Sequence, residues 1–307
     1  MGNWQLKTPV VFMIFNRPEL AEKVFETIRQ VKPPKLLVIA DGPRVNRPSD
    51  AEKCVASRAI IERVDWQCEV MKNYSDVNMG NMLRTVSGFD WVFNKVEEAI
   101  IVEDDCLPQP TFFRFCEELL DYYRHDARIM TISGDNSPLG NRRTEDSYYF
   151  SRYPRIWGWA TWRRAWLYYD IEMRHWPKVR DNNLLKDILQ DDQLEKCWKN
   201  NFQLAYERQG GYSWDYPWTF ASWIQGGLSI IPNVNLVSNL GFSPDATHTT
   251  DVNNPRANMP VEAMKFPLDH PKFMIRDMQA DEFTHNTIFK QSLLKQFKAE
   301  IKKKLNR

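Results

Sequence analysis

The sequence predicts an α/β protein in which helices flank both faces of a sheet. Apolar runs of strand length alternate with segments of helical spacing over residues 9–103, and polar turn residues follow the apolar runs directly. The 307 residues suit one large α/β domain, and an apolar content of 43% is enough to build a sizeable core.

The first half of the chain shows the alternation most clearly. We expect strands at 9–15, 36–40, 68–74 and 98–103, and helices at 18–31, 49–63 and 80–95. Pro18 stands near the start of the first helix, and Ser49 with Glu52 three residues later forms a capping-box pattern in the second. Because ligands bind at the carboxyl ends of strands in such sheets, the polar residues after these strands are the first site candidates.

The second half of the chain is less regular. A helix follows the fourth strand, further strands are expected at 128–133 and 228–237, and residues 243–282 are mostly loop. Nine of the twelve tryptophans lie between Trp157 and Trp223. This density indicates either core packing or a pocket that stacks the flat faces of sugar rings.

Three consecutive acids, Glu103, Asp104 and Asp105, directly follow the apolar run that ends at Val102. Adjacent carboxylates raise one another's pKa unless a cation compensates their charge. Hard cations such as Mg²⁺ and Mn²⁺ take oxygen ligands and keep positions open for phosphate oxygens. The acids therefore indicate a metal site at the sheet edge, and an exposed acidic turn is the alternative.

The segment VEDDC resembles the acidic motif of GT-A glycosyltransferases, which use nucleotide-diphosphate sugars, in the EDD form of N-acetylglucosaminyltransferase I-type members. Other segments are similar to this family or to bacterial family-2-like transferases: TPVVFMIFNRP, VIADGP, YYFSRYPRIWGWATWRRAW, WDYPW and GFSPDATHTT. The resemblance implies a GT-A (Rossmann-like) mixed sheet flanked by helices, with a tryptophan-rich acceptor-side region and a C-terminal helix.

The resemblance covers roughly residues 8–250 and implies a single glycosyltransferase domain over residues 1–282. Within it, residues 1–110 would form the nucleotide-binding half and residues 111–282 the acceptor half. A basic amphipathic helix would follow at residues 283–307.

The resemblance also implies roles for individual residues. Asp105 and His248 would bind Mn²⁺ or Mg²⁺, and a carboxylate with an imidazole suits Mn²⁺ well. Asp215 would be the catalytic base, and the flanking Trp214 and Trp218 would limit its hydration, which suits a base that works near neutral pH. The nucleotide-sugar donor would contact Phe15, Asn16, Arg17, Asp41, Asn81, Arg84, Glu103, Asp104, Gly158 and Trp159.

The catalytic and metal-binding roles have structural alternatives. His248 could be a hydrogen-bonded structural residue. Asp215 could cap the helix that has Pro217 in its first turn, and no Glu precedes it as in the family's xED element. Asp41 could belong to a simple Asp-Gly turn, and Arg84 could pair on the surface.

The tryptophans near residue 158 also allow two interpretations. Trp157, Trp159 and Trp162 could form a platform for the acceptor, or they could pack in the core. Arg152 and Arg155 lie beside this segment and could bind an acidic group of the acceptor.

The function that this pattern favours is metal-dependent transfer of a sugar from a nucleotide diphosphate, with UDP preferred, to a hydroxyl of a glycan or related acceptor. Displacement assisted by Asp215 would invert the anomeric centre, and a retaining outcome stays open if Asp215 is not the base. One alternative is a sugar-nucleotide nucleotidyltransferase, although FNRPEL lacks the glycine-rich loop expected after the first strand. Another alternative is a non-catalytic glycan-binding module.

Charge and composition constrain the partners. The net charge of +1 creates no field that would attract nucleic acid, and no apolar run approaches the ~18 residues of a membrane span. The five scattered cysteines fit a reducing cytoplasm. The basic tail is either a solvated helix face or a peripheral contact with the inner membrane surface, which would suit a lipid-linked acceptor.

Overall fold

The computed structural model describes residues 4–136, 139, 141–208, 213–243, 251 and 253–289. Its strands are β1 (Val10–Ile14), β2 (Lys35–Ala40), β3 (Glu69–Tyr74), β4 (Glu98–Glu103), β5 (Cys106–Pro108), β6 (Ile129–Ser133), β7 (Tyr148–Ser151), β8 (Trp159–Trp162), β9 (Leu228–Pro232) and β10 (Val237–Asn239).

Its helices are α1 (Pro18–Val31), α2 (Ser49–Ala59), α3 (Asn81–Phe93), α4 (Thr111–Tyr122), α5 (Arg163–Trp166), α6 (Trp176–Asp181), α7 (Leu184–Leu189), α8 (Asp192–Glu207), α9 (Asp215–Ile224) and α10 (Met278–Thr284). A short 3₁₀ turn, Ile60–Arg63, extends α2, and a π-helical turn, His285–Phe289, extends α10.

Eight strands form one mixed sheet in the order β3-β2-β1-β4-β8-β6-β9-β7. The first four are parallel. The next strand, β8, is antiparallel to both β4 and β6, so β4 and β6 end at the same edge of the sheet. At the far side β9 is parallel to β6 and β7 is antiparallel to β9. This architecture confirms the predicted α/β class with a mixed sheet flanked by helices.

Both faces of the sheet are buried, which explains why its central strands are apolar throughout. Side chains alternate between the two faces along each strand. In β4, Ile100 and Val102 pack into the core on one face, whereas Ala99 and Ile101 pack into the core on the other. After Glu98 at the start of the strand, the next polar residue is Glu103, where the strand ends.

A third core lies among the helices of the second half of the chain. Trp176 and Trp198 are fully buried there, and Phe289 packs against the same cluster. Trp159, Trp162 and Trp218 are also at most 2% exposed. The high density of tryptophan in this half therefore serves packing at these positions, and Trp159 and Trp162 offer no free ring face to an acceptor.

Three local expectations differ from the structure. The expected strand 228–237 is two strands, because the chain turns at Asn233, whose side-chain amide donates to the carbonyl oxygens of Thr144 and Asp146. The capping box expected at the start of α2 does not form, since no side chain caps this helix.

The third difference concerns the C-terminal helix, which begins at 278 rather than 283 because Asp277 caps it by accepting the Ala280 N–H at 2.9 Å. The basic segment 290–307 lies outside the described residues. In the described part of the chain, no helix is long and apolar enough to cross a bilayer.

Candidate active site

The loops that follow β1, β2 and β4 meet at the carboxyl edge of the sheet, as expected for adjacent parallel strands. Met13 of β1 is in register with Glu103 of β4, so residues 15–17 lie beside the three acids. The acid cluster, which we define as Glu103, Asp104 and Asp105, is thus placed where α/β sheets bind ligands.

Two residues of the acid cluster hold the loop after β1. The Phe15 N–H donates to Asp104 Oδ2 at 2.9 Å. The Arg17 guanidinium donates through Nη1 to Asp105 Oδ2 at 2.5 Å, in an ion pair whose side chains are 29% and 13% exposed. These contacts bring four of the predicted donor-binding and metal-binding residues together.

The acid cluster is short of positive charge. Burial, with the carboxylates of Asp105 and then Asp104, raises the pKa of Glu103 to about 8. Burial and Asp105 likewise raise the pKa of Asp104 to about 7. Burial opposes the charge of Arg17, but Asp105 and Asp104 still raise the pKa of this guanidinium above its ordinary value. Within the described part of the chain, one guanidinium therefore faces three carboxylates.

The chain that leaves β10 packs directly on Asp105. The Leu240 N–H donates to the backbone oxygen of Asp105 at 2.8 Å. A Cβ added to Gly241 would lie 2.0 Å from Asp105 Oδ2, so only glycine fits at this position without a shift. The predicted metal ligand His248 follows in this segment and lies outside the described residues.

The donor set fits a hard divalent cation. Carboxylate oxygens are the ligands such ions prefer, and the uncompensated charge of the acid cluster would be relieved by binding one. Within the described part of the chain, however, no three His, Cys, Asp or Glu side chains form a complete metal site. Ligands beyond Asp105 would therefore have to come from the substrate, from water or from the segment that carries His248.

Asp215 lies close enough to the acid cluster for its charge to contribute to the raised pKa of Glu103. It is the first residue of α9, where the helix dipole favours a negative charge. The Ser213 hydroxyl donates to its carboxylate. Trp214 and Trp218, at 2% and 0% exposure, lie in the core beneath it. The half-buried carboxylate thus sits on a rigid support.

Asp41 has a different environment from the acid cluster. Its two carboxylate oxygens accept four hydrogen bonds of 2.9–3.0 Å, which come from the backbone N–H groups of Gly42, Met79 and Gly80 and from the Asn78 amide. A carboxylate offers about four acceptor positions. Asp41 therefore closes the loops after β2 and β3, and no acceptor position is left for a nucleobase.

Arg84 is also used within the protein. This buried guanidinium donates to the backbone oxygens of Ala40 and Asn73, to the Asn73 side chain and to the Ser87 hydroxyl. It ties together the ends of β2 and β3. Asn81, which was also predicted to contact the donor, is the first residue of α3 and accepts a hydrogen bond from the Thr85 hydroxyl at 3.1 Å.

Sequence reasoning missed Arg44 and Asp50. Arg44 forms an ion pair with the buried Asp50 at 2.6 Å, and its guanidinium lies 5.4 Å from the Phe15 ring centroid. Asn16 donates to the same Asp50 carboxylate at 2.7 Å. The position of Arg44 directly after the Asp-Gly-Pro turn that follows β2 is the sequence signal that could have identified it as a site residue.

A groove of about 400 Å³ opens beside this arginine. It is lined by Pro43, Arg44, Val45, Arg47, Pro48, Ala51, Asp76, Val77 and Asn78. Because these residues follow β2 and β3, the groove lies at the same edge of the sheet as the acid cluster.

Gly158 is required by close packing at the start of β8. Its φ of +61° is in the left-handed region, and a Cβ would lie 2.6 Å from the Val237 side chain. Its carbonyl accepts the Gly134 N–H at 2.7 Å. These contacts fix the backbone that enters β8, and Trp159 then turns its indole into the core.

The two arginines near this segment have different roles. Arg152 is buried, forms an ion pair with Asp281 and donates to the Ile188 carbonyl, so it fastens α10 to the sheet. Arg155 forms a buried ion pair with Asp135 at the end of β6. Arg152 therefore does not face an acceptor, whereas Arg155 remains at the sheet edge.

No family model matches the chain, and no curated protein matches it. Among solved structures it is similar to the mannosyltransferase PcManGT from Pyrobaculum calidifontis in complex with GDP-Man and Mn²⁺ (15% identity, TM-score 0.35, 52% of this chain and 45% of that chain). It thus spans less than half of that enzyme. It is also similar to 4-diphosphocytidyl-2C-methyl-D-erythritolsynthase from Anaerococcus prevotii (12% identity, TM-score 0.34, 61% and 85%). Mouse xyloside xylosyltransferase 1 is similar as well (10% identity, TM-score 0.33, 70% and 81%). Because these likenesses are weak, function is inferred below from the side chains of the site.

Proposed function

We propose that the chain is a glycosyltransferase that binds a nucleotide-diphosphate sugar at the carboxyl edge of its sheet with the help of a divalent cation. One observation carries this proposal: among the described residues, three partly or fully buried carboxylates share a single guanidinium. A divalent cation bound there would restore the charge balance, would use the oxygen donors that are present and would leave positions open for the diphosphate oxygens of the donor.

Asp105 would hold the cation, and His248 is the further ligand that the sequence suggests. When bound, Mn²⁺ or Mg²⁺ neutralises the negative charge of the departing diphosphate. Arg17 already lies on Asp105 and is the nearest guanidinium that could contact a phosphate oxygen. Asp104 keeps the loop after β1 in place through its hydrogen bond to Phe15.

Asp215 would act as the general base. The acceptor hydroxyl oxygen attacks the anomeric carbon, the bond from that carbon to the diphosphate oxygen breaks, and the hydroxyl proton passes to the Asp215 carboxylate. This direct displacement inverts the anomeric centre. The support for this role is the position of Asp215 beside the acid cluster at the start of α9.

The nucleobase would occupy the groove next to Arg44. Asp41 uses all its acceptor positions within the protein, so we assign base recognition to the backbone and side chains of the groove instead. The aromatic ring of Phe15, which Arg44 covers, lies between this groove and the acid cluster.

The proposal is tested by calorimetry of UDP and GDP, each with Mn²⁺ and with EDTA. We expect UDP to bind in the presence of Mn²⁺ and to lose most of its affinity in EDTA. A panel of UDP-sugars should then release UDP slowly by hydrolysis. Formation of pyrophosphate from UTP and a sugar 1-phosphate would show a nucleotidyltransferase instead, and binding of neither nucleotide would refute the proposal.

A further inference from the structure

A cationic cluster lies on the acceptor side of the sheet edge, built around the half-buried Trp157. The guanidinium of Arg256 lies 4.6 Å from the Trp157 ring centroid, and that of Arg155 lies 5.5 Å from it. Phe242 packs edge-on against the same indole with ring centroids 5.7 Å apart. We call Arg155, Trp157 and Arg256 the arginine–tryptophan cluster.

The two arginines of this cluster are not equally compensated. Arg155 donates to both oxygens of Asp135, at 3.3 and 2.9 Å. Across the described parts of the chain, the Arg256 guanidinium has no hydrogen bond and no carboxylate within ion-pair distance, and Asp135, which pairs with Arg155, attracts it only from farther away. The cluster therefore holds two positive charges and one negative charge.

The unpaired guanidinium is also poorly hydrated. Burial, together with repulsion from Arg155, lowers the pKa of Arg256 to about 9, which still leaves it protonated near neutral pH. A partly buried cation without a partner is unfavourable unless an anion compensates it. Stacking on Trp157 fixes the plane of the guanidinium, and its N–H groups remain free to bind two oxygens at once.

The position of the cluster relates it to the acid cluster. Trp157 directly precedes Gly158 at the start of β8. Its ring neighbour Phe242 directly follows Gly241, whose backbone packs on the Asp105 carboxylate. The two clusters thus lie on either side of one short segment of chain, the first on the donor side and the second on the acceptor side.

We infer that the arginine–tryptophan cluster is a subsite for an anionic group, a carboxylate or a phosphate, carried by the sugar acceptor. The anion would bind the free N–H groups of Arg256. That the anion belongs to a sugar acceptor rests on the proposed function, whereas anion binding at Arg256 does not depend on it.

The subsite can be tested by NMR on protein labelled with ¹⁵N-tryptophan. Trp157→Phe identifies the indole signal of Trp157, and the other indole signals report whether the fold is intact. Titration with glucuronate and with glucose 6-phosphate should shift the Trp157 signal, and glucose should bind at least about tenfold more weakly. Arg256→Gln should weaken binding of both anionic sugars by at least about tenfold, whereas Arg142→Gln, which removes an exposed arginine, should leave it unchanged.

Equal binding of glucose, or unchanged affinity in Arg256→Gln, would overturn the inference. A Trp157 shift caused by UDP alone, together with weaker UDP binding in Arg256→Gln, would assign the anion to the donor and also overturn it. If UDP fails to bind in calorimetry while glucuronate still binds through Arg256, the proposed function is refuted and the anion subsite stands.

Discussion

The acid cluster and the arginine–tryptophan cluster are electrostatic opposites at one edge of the same sheet. Among the residues that the structure describes, Arg17 alone faces the three carboxylates of the first cluster. Among the same residues, Asp135 alone faces the two guanidinium groups of the second. Each cluster lacks a counter-charge, and no described side chain supplies one. Each also lies beside the segment that contains Gly241.

Two other charged groups near this edge have hydrogen-bond partners within the protein. Asp41 accepts four hydrogen bonds from its own loops, and Arg84 donates three to the ends of β2 and β3 and one to the Ser87 hydroxyl of α3. An unbalanced charge thus marks a ligand site, whereas residues with hydrogen-bond partners inside the protein hold the loops that shape it.

Asp105→Asn should have the largest effect on ligand binding. Loss of the carboxylate that would hold the cation should remove measurable Mn²⁺-dependent UDP binding and all sugar transfer. The melting temperature should stay within about 3 °C of the unaltered protein, because the loss of a partly buried ion pair is offset by the relief of carboxylate repulsion. Calorimetry and thermal unfolding check both parts, with Asp121→Asn as a surface control.

Asp215→Asn should separate catalysis from binding. An amide cannot accept the hydroxyl proton, so turnover should fall by about 10²–10⁴-fold while UDP affinity stays near normal. Steady-state transfer rates and UDP calorimetry measure the two quantities. Turnover that survives this substitution would exclude Asp215 as the base and would make a retaining mechanism the better account.

Trp159→Ala and Trp157→Ala should differ in stability. Trp159 is fully buried, so its removal should lower the free energy of unfolding by about 3–5 kcal/mol. Trp157 is half-buried, and its removal should cost less than about 2 kcal/mol. Denaturant unfolding compares them, and similar losses would contradict the assignment of only Trp159 to the core.

Asp41→Asn should destabilise the protein by about 1–3 kcal/mol, because an amide nitrogen would replace an acceptor that faces backbone N–H donors. Asp76→Asn, at an exposed position in the neighbouring loop, is the matched control and should have little effect. An unchanged free energy of unfolding for both variants would show that Asp41 is free for a ligand.

The smallest effect is the pH dependence contributed by Asp50. Hydrogen bonds from Arg44 and Asn16 lower the pKa of Asp50 from 3.8 to about 2. Because the folded-state pKa is depressed, the stabilisation is present above pH 4 and is lost as the pH falls from about 4 to about 2. Since Arg44 is partly exposed, we expect the lowered pKa of Asp50 to contribute about 1–2 kcal/mol to the free energy of unfolding. Asp50→Asn should remove this part of the acid dependence in denaturant titrations from pH 5 to pH 2.

The sequence was sufficient for the elements of the fold but not for their pairing. The expected first helix, 18–31, matches α1, and the expected strand 98–103 matches β4. These elements have strong local periodicity. The antiparallel insertion of β8 between β4 and β6 depends on contacts between distant parts of the chain, which periodicity does not report.

The site was predictable to a similar degree. Position at a strand end was enough to select Arg17 and the acid cluster. It could not show that the hydrogen-bonding capacity of Asp41 is exhausted by residues 78–80, because that loop reaches Asp41 only in the folded protein. Arg256 was missed because it lies in a segment rich in Asn and Pro with no local signal of its proximity to Trp157.

The central claim is that the acid cluster binds a divalent cation together with a nucleotide diphosphate. Anomalous X-ray diffraction from crystals grown with Mn²⁺ and UDP tests it most directly. We predict a manganese peak in coordination contact with the Asp105 carboxylate and with diphosphate oxygens, and an Arg17 guanidinium that has left Asp105 for a phosphate oxygen. A manganese peak remote from Asp105, or UDP bound with the Arg17–Asp105 ion pair intact and no metal beside it, would contradict the account.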